Sequence, residues 1–162
     1  MKKISKSDRI VFFSNIVEKM EAMGLGATWK IKEDPKVICR SFTPLQGIHY
    51  EIQFIKPKTE SSEHVEVGFH IETEKKEIRE KYFNLISKNK EKYQNLFENT
   101  LIFDLEWRAK KWARIYLSRP FEIEYEDDII SWAAKKMYLL YSNFNPIINV
   151  SKLKKSSISD QR

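Results

Sequence analysis

Cysteine, glycine and long apolar runs are what this chain has least of, and each shortage removes a class of protein. One cysteine, Cys39, cannot close an internal disulfide, and its place in Val37-Ile38-Cys39 reads as a small buried thiol in a reducing compartment. Its one basic neighbour, Arg40, alternates to the opposite face, which argues against a nucleophile. Four glycines leave no Gly-rich phosphate loop. No basic start leads into an apolar stretch at the N-terminus, and Ile10-Val11-Phe12-Phe13 is far too short to span a bilayer. The expectation is a cytoplasmic protein with no membrane partner. His-x-x-x-His and Cys-x-x-Cys spacings are missing too, and the leading reading carries no cofactor.

Charge of one sign is also scarce where it would matter. The net charge is +6, but residues 1 to 9 contribute +3 and residues 152 to 162 another +3, leaving 21 basic against 21 acidic side chains between them. The body is balanced, so a polyanion would have to be met by a local cluster or by the ends. With 162 residues, one domain over 1 to 150 is expected, followed by a basic, disordered tail at 151 to 162.

What is present is periodicity. Phe12, Phe13, Ile16, Met20 and Met23 recur at helical spacing, so a helix is predicted over 8 to 23, capped by Ser7 or Asp8 and stopped by Gly24 and Gly26. Trp29 and Ile31 begin a strand, Asp34-Pro35 turns it, and Val37 to Phe42 pairs with it. Ile48, Tyr50, Ile52 and Phe54 alternate with His49, Glu51 and Gln53, and Val65, Val67, Phe69 and Ile71 with His64, Glu66, Gly68, His70 and Glu72. Such alternation predicts an antiparallel pair with one buried and one wet face. A long helix, with a break, is expected over 75 to 97, strands around Leu101 to Trp107 and Ala113 to Leu117, and a last helix over 127 to 143 ended by Asn145-Pro146. The fold class is therefore α+β: a mainly antiparallel sheet of about five or six strands, covered on one face by three or four helices. Trp29, Tyr50, Ile52, Phe54, Val67, Phe69, Leu85, Phe103, Leu105, Ile115, Ile130, Met137 and Leu140 are the predicted core.

Three stretches, Gly47-Ile48-His49-Tyr50, Val65-Glu66-Val67-Gly68-Phe69-His70-Ile71-Glu72 and Phe83-Asn84-Leu85-Ile86, occur in order before Leu105-Glu106-Trp107, Arg114-Ile115, Trp132 and Met137. In that order, over roughly residues 28 to 148, the chain resembles a prokaryotic domain of unknown function, DUF4268, found alone or beside restriction-endonuclease-like nuclease modules. The resemblance implies a noncatalytic accessory domain in a DNA-processing or defence setting. It carries no catalytic residues over.

Two constellations bear on chemistry. Arg108, Lys110, Lys111 and Arg114, interleaved with Trp107 and Trp112, are the best local polyanion site: cations follow phosphates while aromatic faces stack on bases. The competing reading is a charged turn that resists aggregation. His49, His64, His70, Glu51 and Glu66, with Glu72 at the same parity, form the other, because imidazoles and carboxylates suit zinc, manganese or iron. Polar residues occupy a solvent face whatever they do, so parity alone does not make a metal site. Glu33 or Asp34 with Glu51-Ile52-Gln53 falls short of a nuclease acid-x-Lys pattern, and Asp104 with Glu106 reads as strand solvation. Three functions remain open: an accessory module contacting nucleic acid or a nuclease partner, a metal-dependent nuclease or hydrolase using the His/Glu face, and an interaction or homodimerisation module that would use some of the 21 aromatic residues.

Overall fold

A computed structural model describes the backbone of residues 3 to 159 and the side chains of residues 3 to 150. The first helix, α1 (Lys6–Ala22), starts two residues earlier than the apolar spacing suggests. The reason is local: Ser5 accepts from the Asp8 backbone N–H while the Asp8 carboxylate receives the Ser5 N–H, a reciprocal capping box. Strands β1 (Lys30–Lys32), β2 (Ile38–Phe42), β3 (Ile48–Ile55) and β4 (His64–Ile71) follow as a meander. Helices α2 (Lys76–Ser87) and α3 (Lys90–Leu96) then carry the chain to β5 (Ile102–Glu106), at the sheet's far edge. The single turn α4 (Trp107–Lys110), left-handed at Arg108 and Ala109, returns it as β6 (Trp112–Pro120), and α5 (Glu126–Ser159) closes the fold.

The sheet is antiparallel throughout, in the order β1-β2-β3-β4-β6-β5. This is an α+β fold. Helices α1, α2 and α5 pack on one face. Phe12, Phe13, Ile16 and Met20 of α1 and Met137, Leu140 and Phe144 of α5 meet Tyr50, Ile52, Phe54, Val67 and Phe69 of the central strands. Of the predicted core, Trp29, Leu85, Phe103 and Leu105 are only partly buried and rim it.

Two expectations are corrected. The last helix does not end at Asn145-Pro146 but runs to Ser159, which also puts residues 151 to 159 of the expected disordered tail in a helix. Residues 160 to 162 of that tail lie outside the described residues. Pro146 removes one helical hydrogen bond and crowds the preceding turn. Its ring is on the exposed side, however, while Phe144 and Ile148 are fully buried, and that packing overrides the local stop. The second correction matters more. The polar face of β3 and β4 is not wet: His49, Glu51, Gln53, His64, Glu66 and His70 are all buried.

Candidate metal centre

Register explains how polar side chains come to be dry. His49 lies opposite His70, Glu51 opposite Gly68, and Gln53 opposite Glu66. On the outer side, β2 sets Arg40 beside Glu51 and Phe42 beside His49, and β6 sets Arg114 beside His70 and Tyr116 beside Gly68. The long side chains then close the face over themselves. The Arg114 guanidinium lies 3.8 Å from the Tyr116 ring centroid and 4.6 Å from that of Trp107, whose ring is 4.7 Å from His70. Lys36 reaches in from the loop before β2 and donates to Gln53 Oε1 at 2.7 Å. Burial pushes its ammonium below the usual lysine value, against the attraction of Glu51 and Glu66.

Within this layer, one oxygen or nitrogen from each of His49, Glu51, His70 and Glu72 lies within 4.8 Å of the others. His49 Nε2 is 3.3 Å from Glu51 Oε2 and 3.6 Å from Glu72 Oε1. His70 Nδ1 is 3.4 Å from Glu72 Oε1 and 3.9 Å from Glu51 Oε1. Both nitrogens are buried and make no well-aligned hydrogen bond among the described residues, although each has a carboxylate oxygen within 3.4 Å. The group opens to solvent at Glu72 and Arg40, whose side chains are 17% and 20% exposed.

Glu72 lies one residue past β4, and a backbone contact fixes it there. Its N–H donates to Gly47 O at 2.6 Å, and a Cβ on Gly47 would stand 2.7 Å from Glu72 O. With φ of 78° as well, that position admits only glycine without strain.

Carboxylates and cations set one another's protonation in the cluster. Burial would raise the Glu51 carboxyl, but His49, His70 and Arg40, the last through a 2.5 Å contact from its Nε, hold it below the ordinary carboxylate value. Burial acts on Glu72 in the same way and is outweighed by the two imidazoles, which hold it well below. Burial would lower His70, yet Glu66, Glu72 and Glu51 raise it to about 9. Carboxylates that favour a proton on an imidazole favour a divalent cation beside it by the same field.

The sequence-derived metal set is thus partly assembled. His49, His70 and Glu51 converge, and Glu72 completes the four. Glu66 stands behind His70, on its Nε2 at 2.6 Å. His64 is about 20 Å along the strand from His70 by strand rise, with Glu60 Oε2 at 2.5 Å and Ser118 Oγ at 3.3 Å from its ring. Parity already placed Glu72 with the histidines; nothing local to it marks Arg40 or Gly68.

The basic turn is divided. Arg114 turns onto the sheet face, its Nη1 donating to Glu66 Oε2 at 2.5 Å and its Nε 3.8 Å from Asp104. Lys110 stands 3.8 Å from Glu106, and Lys111 3.7 Å from Glu74. Arg108 is exposed and stacks on Trp107 at 5.3 Å, while Trp112 is half-buried against Trp107. Cys39 is fully buried on the helix face, where burial pushes its thiol up to about 12.

No family model, curated protein or solved structure matches this chain. Among the described residues, no helix is long and apolar enough to cross a membrane.

Proposed function

We propose that the buried polar face binds one divalent transition-metal ion through His49, Glu51, His70 and Glu72, and that the protein is a metal-dependent hydrolase. The observation that carries this reading is the pair of unpartnered nitrogens, His49 Nε2 and His70 Nδ1, facing the same two carboxylates. A buried polar atom without a partner costs about 1–3 kcal/mol, and two of them in one place are relieved together by an ion. Two imidazoles with two carboxylates favour zinc, manganese or iron over magnesium or calcium. Such an ion, when bound, supplies a water activated near neutral pH. The opening at Glu72 and Arg40 supports access from solvent.

Calorimetric titration of metal-free protein with zinc and with manganese tests the reading. One equivalent bound by the wild type and none by His49→Ala/His70→Ala is expected, together with manganese-dependent hydrolysis of a nucleic-acid substrate. No uptake of either metal sinks the proposal.

A second reading has one observation in its favour. Arg108 and Lys110 are exposed on left-handed backbone, at φ of 52° and 65°, which holds the turn in a fixed shape beside Trp107. An accessory domain that contacts nucleic acid there, as the DUF4268 resemblance implies, would bind less tightly as salt rises. Unchanged mobility of DNA at low salt would remove it.

A further inference from the structure

The other nitrogen of His70 carries an assignment that rests on the metal reading and deepens it. We infer that Glu66 is the positioning residue of the centre: it holds the proton of His70 Nε2, so that Nδ1 is the nitrogen given to the metal.

Glu66 is fully buried, and both its oxygens are engaged. Oε2 receives Arg114 Nη1 at 2.5 Å, and Oε1 receives Gln53 Nε2 at 3.3 Å and lies 2.6 Å from His70 Nε2. The Gln53 amide is oriented by Lys36, whose donation to Oε1 leaves Nε2 to face Glu66. A carboxylate that faces a guanidinium and an amide N–H acts as an acceptor, so the hydrogen of the third contact comes from His70. A metal takes the place of one proton of the ring, leaving a single N–H, and with that hydrogen on Nε2 the lone pair for the ion is on Nδ1. Nδ1 is the atom that faces Glu51 and Glu72.

The strand is cut to fit this contact. Glu66 and His70 stand on either side of Gly68 on one face of β4, and their side chains meet above it. A Cβ on Gly68 would come within 2.9 Å of His70 Nε2 and 3.1 Å of Glu66 Oε1. Trp107 braces the ring, so His70 has little room to yield. Carboxylate partners of this kind fix the tautomer of a metal-bound histidine and raise its basicity. Glu66, with both oxygens used, does not itself reach the ion.

The test loads the full chain, isotope-labelled at histidine nitrogen, with a spin-active cadmium isotope and reads which nitrogens couple to the metal. Coupling to His49 Nε2 and His70 Nδ1, with a slowly exchanging proton on His70 Nε2, is expected. Coupling to His70 Nε2 overturns the assignment. Alongside it, Glu66→Gln and Gly68→Ala are each expected to weaken zinc binding about 10–100-fold, with melting of the metal-free forms recorded so that lost folding is not mistaken for lost affinity. Wild-type affinity in a folded Glu66→Gln overturns the assignment while leaving the metal reading standing. If neither variant folds, the wild-type coupling decides alone. No uptake by the wild type overturns the metal reading and this assignment with it.

Discussion

The two faces of the central strands are equally dry and chemically opposite. On one face of β3, Tyr50, Ile52 and Phe54 are closed over by α1 and α5; on the other, His49, Glu51 and Gln53 are closed over by guanidiniums, an ammonium and an indole. Burial of the first face is favourable through the hydrophobic effect, which has no direction. Burial of the second is favourable only if each charge and donor finds its partner, which fixes geometry atom by atom. A fold that needed only stability would gain from apolar residues on both faces. Retaining two buried carboxylates, Glu51 and Glu66, and three buried imidazoles, two of whose nitrogens lack a hydrogen-bond partner among the described residues, is what sets the polar face apart.

The comparison is broken most strongly on the apolar side. Phe69→Ala, at a fully buried site, is expected to cost about 3–5 kcal/mol in denaturant unfolding. On the polar side, Arg114→Met leaves Glu66 buried with one cation fewer. Breaking a buried pair costs about 3–5 kcal/mol, and since Glu66 keeps His70 and Gln53 the expected loss in the same measurement is at the lower end, about 3 kcal/mol. A near-zero effect would mean that the polar layer contributes little order. Zinc at a hundred times its dissociation constant should raise wild-type stability by about 2.7 kcal/mol, and leave Phe69→Ala with the same increment but His49→Ala/His70→Ala with none. The smallest effect sharpens the apolar face. With its thiol pushed up to about 12 by burial, Cys39 is neutral at mildly alkaline pH and should resist alkylation until denaturant is added. Rapid native labelling would show that this face opens.

Much of this architecture was legible in the alternation of residues 48 to 54 and 64 to 71, which assigns strands, antiparallel pairing and the shared face of the histidines and glutamates. Alternation does not say whether a polar face is wet. That depends on Arg40, Arg114 and Trp107 from other strands, and on a register that no local pattern records. Arg114 illustrates the limit: in sequence it belongs to the basic turn, yet its strand parity aims it at Glu66. Glu72 shares parity with the histidines, but its hold on the cluster comes from the Gly47 backbone contact 25 residues earlier in the chain. Pro146 fails as a stop because Ile148 has a buried place to fill.

The central claim is that the polar face is an ion site rather than a self-satisfied salt-bridge layer. Crystals of the full chain soaked in zinc, with data collected on both sides of the zinc edge, test it most directly. The account predicts one strong anomalous peak about 2.0–2.1 Å from His49 Nε2 and His70 Nδ1, with Glu51 or Glu72 oxygens at about 2.0–2.2 Å. A clean face with its side chains unmoved, or zinc bound only at surface residues such as His64 and Glu60, would contradict it.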